Sequence, residues 1–588
     1  MKDCHAVDPP AECRPFRGSF LDFEPMANHP QLADAEILDD AYEALAVLQH
    51  DYFDTDYGTW SSAIDWTGAV IETIVSGMLS TLSTSLGSDN VSSNAMSDWK
   101  AKENLISSYF SQVVGSFFGQ DILSIRGEAY DDILWVVLGW LEAIRFVKRH
   151  GDLHYPNKEK EGGASTSGLG QALQSMAWHG QNWVGGFAHR SRVFWSLGIS
   201  GWDTRLCHGG MIWNRRLQPY KNAITNELWI SASISMYNHF PGDNFSSPWI
   251  NEVAFPKKDP LHLAAAVEGY KWLMNVNMMN KQGLFVDGYH IDSSKAGNTE
   301  CDLRDEMVYT YNQGVLLTGQ RGLWEATGMA SYLEDGHALV QSVIAATGWS
   351  LVDNAPLDSS PPPPGRLPVW RGIGRGGILE EQCDASGTCS QDAQTFKSIF
   401  FHHLTAFCAP LEPLPLEMQE KHDSLVLERV RSSHASACQS YIGWVRYNAL
   451  AALGTRNQNG QFGMWWGASV FKVTVSKEED GIDHHAENCT DYRNDGTPLD
   501  MTWGSADRWM PGTGSWKMTS EALLVQPEVG QQVMTKPRKD QYAAREPSQD
   551  KRVSAADPND RGRGRTVETQ VGGLAILRTF WELSQAYR

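Results

Sequence analysis

Apolar residues recur along most of the chain with the period of an α-helix. In DAEILDDAYEALAVLQH, residues 34–50, the positions Ile37, Leu38, Ala41, Leu45 and Leu48 form one stripe, which predicts an amphipathic helix. Helical stretches are also predicted over 69–82, 131–147, a short one over 193–197, 222–237, 261–279, 307–327, 336–347, 393–408, 438–453 and 567–586. Several of these are apolar on nearly every face, unlike the first, and such helices belong to the interior of a large protein. Runs of β-branched alternation are few, which argues against a large sheet. Enclosed helices interleaved with half-exposed ones predict an inner ring inside an outer ring, an all-α toroid. No fixed repeat period is visible, so a regular solenoid is disfavoured.

Two stretches interrupt the helices. Residues 357–377, with SSPPPPGRLPVWRGIGRGG, read as a stiff Pro/Gly-rich loop. Residues 478–562 are polar, charged and Pro/Gly-rich with little periodicity, and read as an extended insertion. The following VETQVGGLAILRTFWELSQAYR returns to a helical pattern, so the insertion is expected to lie inside one domain covering 1–588.

Composition narrows the function. A net charge of −21 opposes a phosphate-backbone partner, because nucleic-acid binding needs a basic face. Twenty-three Trp are a heavy load; most are expected in the core, although indole rings also suit the apolar faces of sugars. The longest apolar run, 133–141, falls well short of the roughly 20 residues a membrane span requires. The opening MKDCHAVDPP has no apolar run of signal-peptide type. Nine cysteines are too dispersed for a zinc site, but CDASGTC can close a small disulfide loop, and an oxidising, extracellular setting fits them somewhat better than the cytosol. Sequons at Asn90, Asn244 and Asn488 are about what chance supplies.

One pair of acids stands out. In EAYDDILWVVLGWLEAIRF, Asp131 and Asp132 head a strongly apolar helix, where like charges side by side are costly to bury. Asp39-Asp40 provides the contrast, lying inside the amphipathic first helix and reading as a solvated surface pair. At a helix start one Asp is explained as a cap or a dipole partner. Two are explained less well. Glycoside hydrolysis needs one carboxylate to attack or steer water and one carboxylic acid to protonate the leaving oxygen, and two close acids divide those roles.

The flanking segments SAIDWTGAVIET, YDDILWVVLGWLEA, FAHRSRVFWSLGISGWDTRLCHGGMIWN, PYKNAITNELWISASISMY, GLFVDGYH, TYNQGVLLTG, CDASGTCSQDAQTFKSIFFHHL and GQFGMWWG, in that order, resemble glycoside hydrolase family 76, the endo-α-1,6-mannanases and related fungal wall enzymes. The resemblance implies an (α/α)6 barrel with long loop insertions, acting on α-1,6-linked mannan outside the cell or in the wall. It implies a retaining mechanism with Asp131 as nucleophile and Asp132 as general acid/base. It also marks Asp65, Trp66, Trp213, Asn222, Asn226, Asp287, Tyr311 and Asn312 as candidate sugar contacts, each with an alternative as a cap, turn or packing residue. Tyr311 and Asn312 are expected as polar groups inside an otherwise apolar helix, where burial demands hydrogen bonds. No cofactor is expected. His402-His403 and His484-His485 lack the spacing of a helical zinc motif, so no metal is expected either. The same acids would also serve a transglycosylase that passes the glycosyl group to another sugar hydroxyl, and a silent glycan-binding protein could keep the fold.

Overall fold

The computed structural model describes residues 34–86, 93–155, 177–247, 250–358, 366–414, 419–420, 423–473, 479–483, 557–561 and 564–587. Among them are twelve helices of three turns or more. These are α1 (Asp34–Val47), α2 (Asp65–Ser85), α3 (Ser93–Gly119), α4 (Tyr130–His154), α5 (Val184–Gly198), α6 (Ala223–His239), α7 (Pro260–Asn275), α8 (Val315–Thr327), α9 (Ala330–Ala346), α10 (Gln391–Phe407), α11 (Ser424–Leu453) and α12 (Val567–Ala586). The even-numbered helices pack in sequence, α2 on α4, α4 on α6, and so on to α12, which returns to α2 and closes the ring. The odd-numbered helices form the outer layer: α3 lies on α2, α5 on α4, α7 on α6, α9 on α8, and α1 and α11 on α12. This is an (α/α)6 barrel.

Amphipathicity assigns each helix to its layer. Every residue of α6 from Ala223 to Met236 is buried, whereas α7 buries one face and exposes Leu261. Hydroxyls on the inner helices spend their hydrogen bonds locally: Thr73 on Ala69 O, Thr405 on Phe401 O and Thr579 on Ala575 O. Helix starts carry the expected caps. Asn222, Asp259, Ser390 and Asp423 accept from backbone amides at the heads of α6, α7, α10 and α11. Thr566 and Thr569 cap each other's amides at the head of α12.

Several elements depart from the expected pattern. The helix α3, polar over much of its length, gives too weak a stripe to be predicted, and α5, α9 and α11 begin well before their apolar periodicity does. The stretch expected as a helix over 307–327 is helical only from Val315. Tyr311 and Asn312 stand in a 3-10 turn before it, so they are not helix-interior residues. There Gly314 lies so close to α10 that a Cβ would sit 2.6 Å from Phe400 Cα. Strands are short: β1 (Tyr220–Asn222), β2 (Gly288–His290) and β3 (Leu303–Asp305) form an antiparallel sheet in that order, with Asn222 opposite Gly288 and Gly288 opposite Asp305. Residues 484–556 of the expected insertion lie outside the described residues, as do His484-His485, Asn90 and Asn488.

Among the described residues there are three disulfides: Cys383–Cys389 closes the expected small loop, Cys207–Cys301 ties the loop before β1 to the segment before β3, and Cys408–Cys438 joins the end of α10 to α11. In the first helix Asp39 is exposed, while Asp40 is half-buried and pairs with Arg456 at 3.1 Å.

Candidate active site

The heads of the inner helices meet at one end of the barrel. Thr67 on α2 and Gln391 on α10 both donate to Glu568 on α12, at 2.9 and 3.0 Å. Trp66 on α2 donates through Nε1 to Asp392 on α10 at 2.8 Å. The strand β1 feeds directly into α6, and Ala223 N donates to Asp287 O at 2.7 Å. Helix N-termini favour anions, which explains how this end tolerates so many acids.

Asp131 and Asp132 occupy the first turn of α4, after Ala129, which precedes the helix in an extended conformation. Asp131 is buried and accepts from Trp213 Nε1 at 3.0 Å on Oδ2 and from Asp132 N at 3.2 Å on Oδ1. Trp213 is held in turn by the backbone, donating from N to Tyr220 O and accepting Tyr130 N, each at 2.8 Å. Asp132 is half-buried. Burial, followed by the charges of Asp131 and Glu128 and more weakly Asp392, pushes its carboxyl well above the usual range. One carboxyl is thus hydrogen-bonded as an acceptor while its neighbour is held toward the protonated form.

A second cluster forms beside the pair. Tyr220 OH donates to Asp287 Oδ2 and Asn312 Nδ2 approaches Oδ1 at 3.5 Å. Tyr220 also meets Trp213 edge-on, with centroids 6.3 Å apart, so β1 links Asp287 to the partner of Asp131. Asn222 Nδ2, Asn312 Oδ1 and both oxygens of Glu227 are buried without a hydrogen bond among the described residues. Burial and then the charge of Asp287 push the Glu227 carboxyl well upward. Unpaired buried polar groups cost about 1–3 kcal/mol each, so this corner differs from an ordinary packed core.

The predicted residues therefore separate. Asp131, Asp132 and Trp213 form one connected group, and Asp287 with Asn312 forms the adjoining one. Trp66 stands on the α2 side, half-buried and stacked on Trp135 with centroids 5.7 Å apart. Tyr311 is buried and stacks on Phe396 at 4.0 Å. Asn222 caps α6. Asn226 is fully buried, and its amide is engaged by backbone, accepting from Met211 N and donating to Met211 O and Asn222 O. Its evident work is to hold the Met211 loop. Asp65 begins α2, but its side chain lies outside the described residues.

Sequence reasoning missed Tyr220, Asp392, Glu128 and Glu227. The only signal for Asp392 was an acid two residues after a Ser cap. Tyr220 and Asp287 are 67 residues apart, and only the β1–β2 pairing brings them together. His402 lies beside Arg578 Nη1 at 3.1 Å and His403 beside Thr318 at 2.7 Å. His337, His434 and Cys438 come within 4.8 Å of one another, but the sulfur of Cys438 is bonded to Cys408.

Two adjacent carboxyls in contrasting environments thus stand at the acidic mouth of an (α/α)6 barrel. Residues 185–442 match the family described as Glycosyl hydrolase family 76. Asp131 and Asp132 precede the matched stretch and join it through the packing of α4 on α5 and α6. Curated relatives include the mannan endo-1,6-alpha-mannosidase DFG5 of Saccharomyces cerevisiae, 24% identical over 221 residues, covering 36% of this chain and 38% of that protein. Another is the mannan endo-1,6-alpha-mannosidase DCW1 of Candida glabrata, 23% identical over 34% of this chain and 36% of that protein. The matched part is thus under two fifths of these relatives' length. Similar solved structures include the GH76A alpha-1,6-mannanase of Salegentibacter sp. HEL1_6, at 16% identity and TM-score 0.43 over 73% of this chain and 92% of that one. Dfg5 of Chaetomium thermophilum in complex with glucosamine matches at 13% identity and TM-score 0.43, over 77% and 88%.

Proposed function

We propose that this protein is a retaining glycoside hydrolase that cleaves internal α-1,6 linkages of mannan, with Asp131 as nucleophile and Asp132 as general acid/base. The observation that carries the reading is the contrast within the pair. Asp131 accepts from Trp213 and from the amide of Asp132, an arrangement that stabilises an ionised carboxylate. Asp132 is kept toward the protonated form by burial and by Asp131. In the first step Asp132 gives its proton to the leaving glycosidic oxygen while Asp131 attacks the anomeric carbon, forming a glycosyl ester. In the second, Asp132 takes a proton from water, and that water attacks the same carbon and releases Asp131. Asp287, Tyr220 and Asn312 are assigned to hydroxyls of the sugar beside the scissile bond, and Trp66 to stacking on a pyranose face. The names of the curated relatives support mannan as substrate. Three disulfides support an oxidising setting, outside the cell or in the wall. The barrel and its insertion at 478–562 are proposed to act as one catalytic unit.

NMR of the first product anomer from an α-1,6-mannooligosaccharide tests the mechanism, with net retention expected; inversion would exclude a nucleophile. Asp131→Asn and Asp132→Asn should each lower turnover by about 10³-fold or more. Unchanged turnover in both would remove the pair from catalysis.

A further inference from the structure

Lys221 is fully buried and has no part in the mechanism above. It stands in β1 between Tyr220 and Asn222, and successive strand residues point to opposite faces. While Tyr220 reaches Asp287, the Lys221 ammonium reaches the loop before β1. There it donates to four backbone carbonyls: Asp203 O at 2.8 Å, Leu206 O and Gly210 O at 2.9 Å each, and Gly209 O. Burial pushes its pKa down to about 8, which leaves it charged at neutral pH. The loop is wound around that charge. Cys207, His208, Gly209 and Gly210 all have positive φ, from 54° to 136°, a run that L residues adopt only under constraint. The Cys207–Cys301 disulfide and the Trp272 indole N–H on Cys207 O, at 2.9 Å, also anchor it. A buried ammonium is costly unless its protons are bonded, so charge and loop conformation stabilise each other. The same loop runs directly into the site. Gly210 O also accepts Asp203 N at 3.0 Å, Met211 pairs with Trp202 and is held by Asn226, and Ile212 N donates to Gly201 O at 2.9 Å. Trp213 follows, with its indole N–H on Asp131.

We propose that Lys221 is a positioning residue for the Asp131–Asp132 pair: its ammonium is a built-in cation at the centre of the 203–210 loop and sets the place of Trp213, and through it the hydrogen bond to Asp131. The inference rests on the proposed reading of that pair and adds what holds its geometry. Both faces of β1 then serve the site. Tyr220 donates to Asp287 and accepts the backbone N–H of Trp213, and Lys221 fixes the loop that delivers the indole. A neutral side chain of the same length leaves four converging carbonyls without their donor, so the loop relaxes and Trp213 shifts with it.

The test uses the full chain, α-1,6-mannotetraose, and the variants K221M, W213F and the double variant. K221M keeps the length of the side chain and removes the ammonium. It is expected to lower kcat about fivefold or more with KM within about twofold of the parent. Because Lys221 acts through Trp213, the double variant should have a kcat within about twofold of W213F alone. An unchanged kcat in K221M, or effects of the two substitutions that multiply, overturns the proposal. Thermal unfolding identifies a folding defect. If K221M does not fold, K221A with propylammonium, which replaces the missing atoms, takes its place. Folded, active protein with propylammonium but not with 1-propanol supports the cation role. Failure with both, or recovery with both, overturns it. Failure of the underlying reading would look different: D131N and D132N would keep their turnover whatever happens at Lys221.

Discussion

Asp131 and Asp132 are adjacent in sequence and unlike in surroundings, and the difference lies in what each touches. Asp131 receives the Trp213 indole N–H, while Asp132 is pushed toward its protonated form by burial first and then by the charges of Asp131 and Glu128. A hydrogen bond to a charged group contributes about 1.5–3 kcal/mol. Trp213→Phe should therefore lower kcat by about tenfold to a hundredfold, and do so more than it changes KM, as steady-state kinetics would show. The pair itself was legible in the sequence, because two acids at the head of an apolar helix are costly unless used. Trp213 was legible only as a candidate. Its bond to Asp131 spans 82 residues and exists because β1 and the head of α4 share its backbone groups. Asn226 shows the opposite outcome, a polar residue in a sugar-binding-like setting whose amide is occupied by the loop it holds.

At the scale of elements, the barrel depends on how each inner helix starts. The head of α12 is fixed by the reciprocal Thr566–Thr569 cap, and Thr566 Oγ1 also donates to Gln394 on α10 at 2.7 Å. Thr566→Ala removes both the cap and the link that closes the ring. The expected loss is about 1–2 kcal/mol, read as a lower urea midpoint at unchanged slope. Inner helices were largely visible in the hydrophobic pattern because burial on all faces leaves few polar residues to blur it. Of the outer helices, α1 and α7 were seen nearly whole, α5, α9 and α11 in fragments and α3 not at all. Half of each outer helix faces water, where composition is free to vary, and α3 went unpredicted for that reason.

For the whole molecule, buried ionisable groups set how stability changes with pH. Burial raises Glu72 and Glu381 to about 8 and Glu380 and Glu568 to about 7. Between their unfolded values and these, the native state binds more protons than the unfolded chain, so their contribution falls as pH rises. Buried histidines act in reverse. His337, His402, His403 and His434 are all lowered by burial, so the unfolded chain binds more protons below about pH 6.5 and stability rises with pH there. Between about pH 4.5 and 6.5 the two sets oppose each other, and above about pH 6.5 only the carboxyls still act. The melting temperature should change little between pH ~4.5 and ~6.5 and fall between pH ~6.5 and ~8, as calorimetry over that range would show. A melting temperature still rising to pH ~8 would place those carboxyls outside the titrating set.

The sequence by itself determined that this chain folds from helices, which of them are enclosed and where two acids stand at the head of one. Those properties are local, written in periodicity and in the cost of burying charge. Tertiary structure decided that Asp131 accepts the Trp213 indole while burial pushes the Asp132 carboxyl upward, that Asp287 faces Tyr220 and Asn312, and that Asp392 accepts from Trp66. These depend on helix heads brought together from 25 to 326 residues apart, which no local pattern encodes. Asp131 and Asp132 became a candidate site only when the ring closed around them.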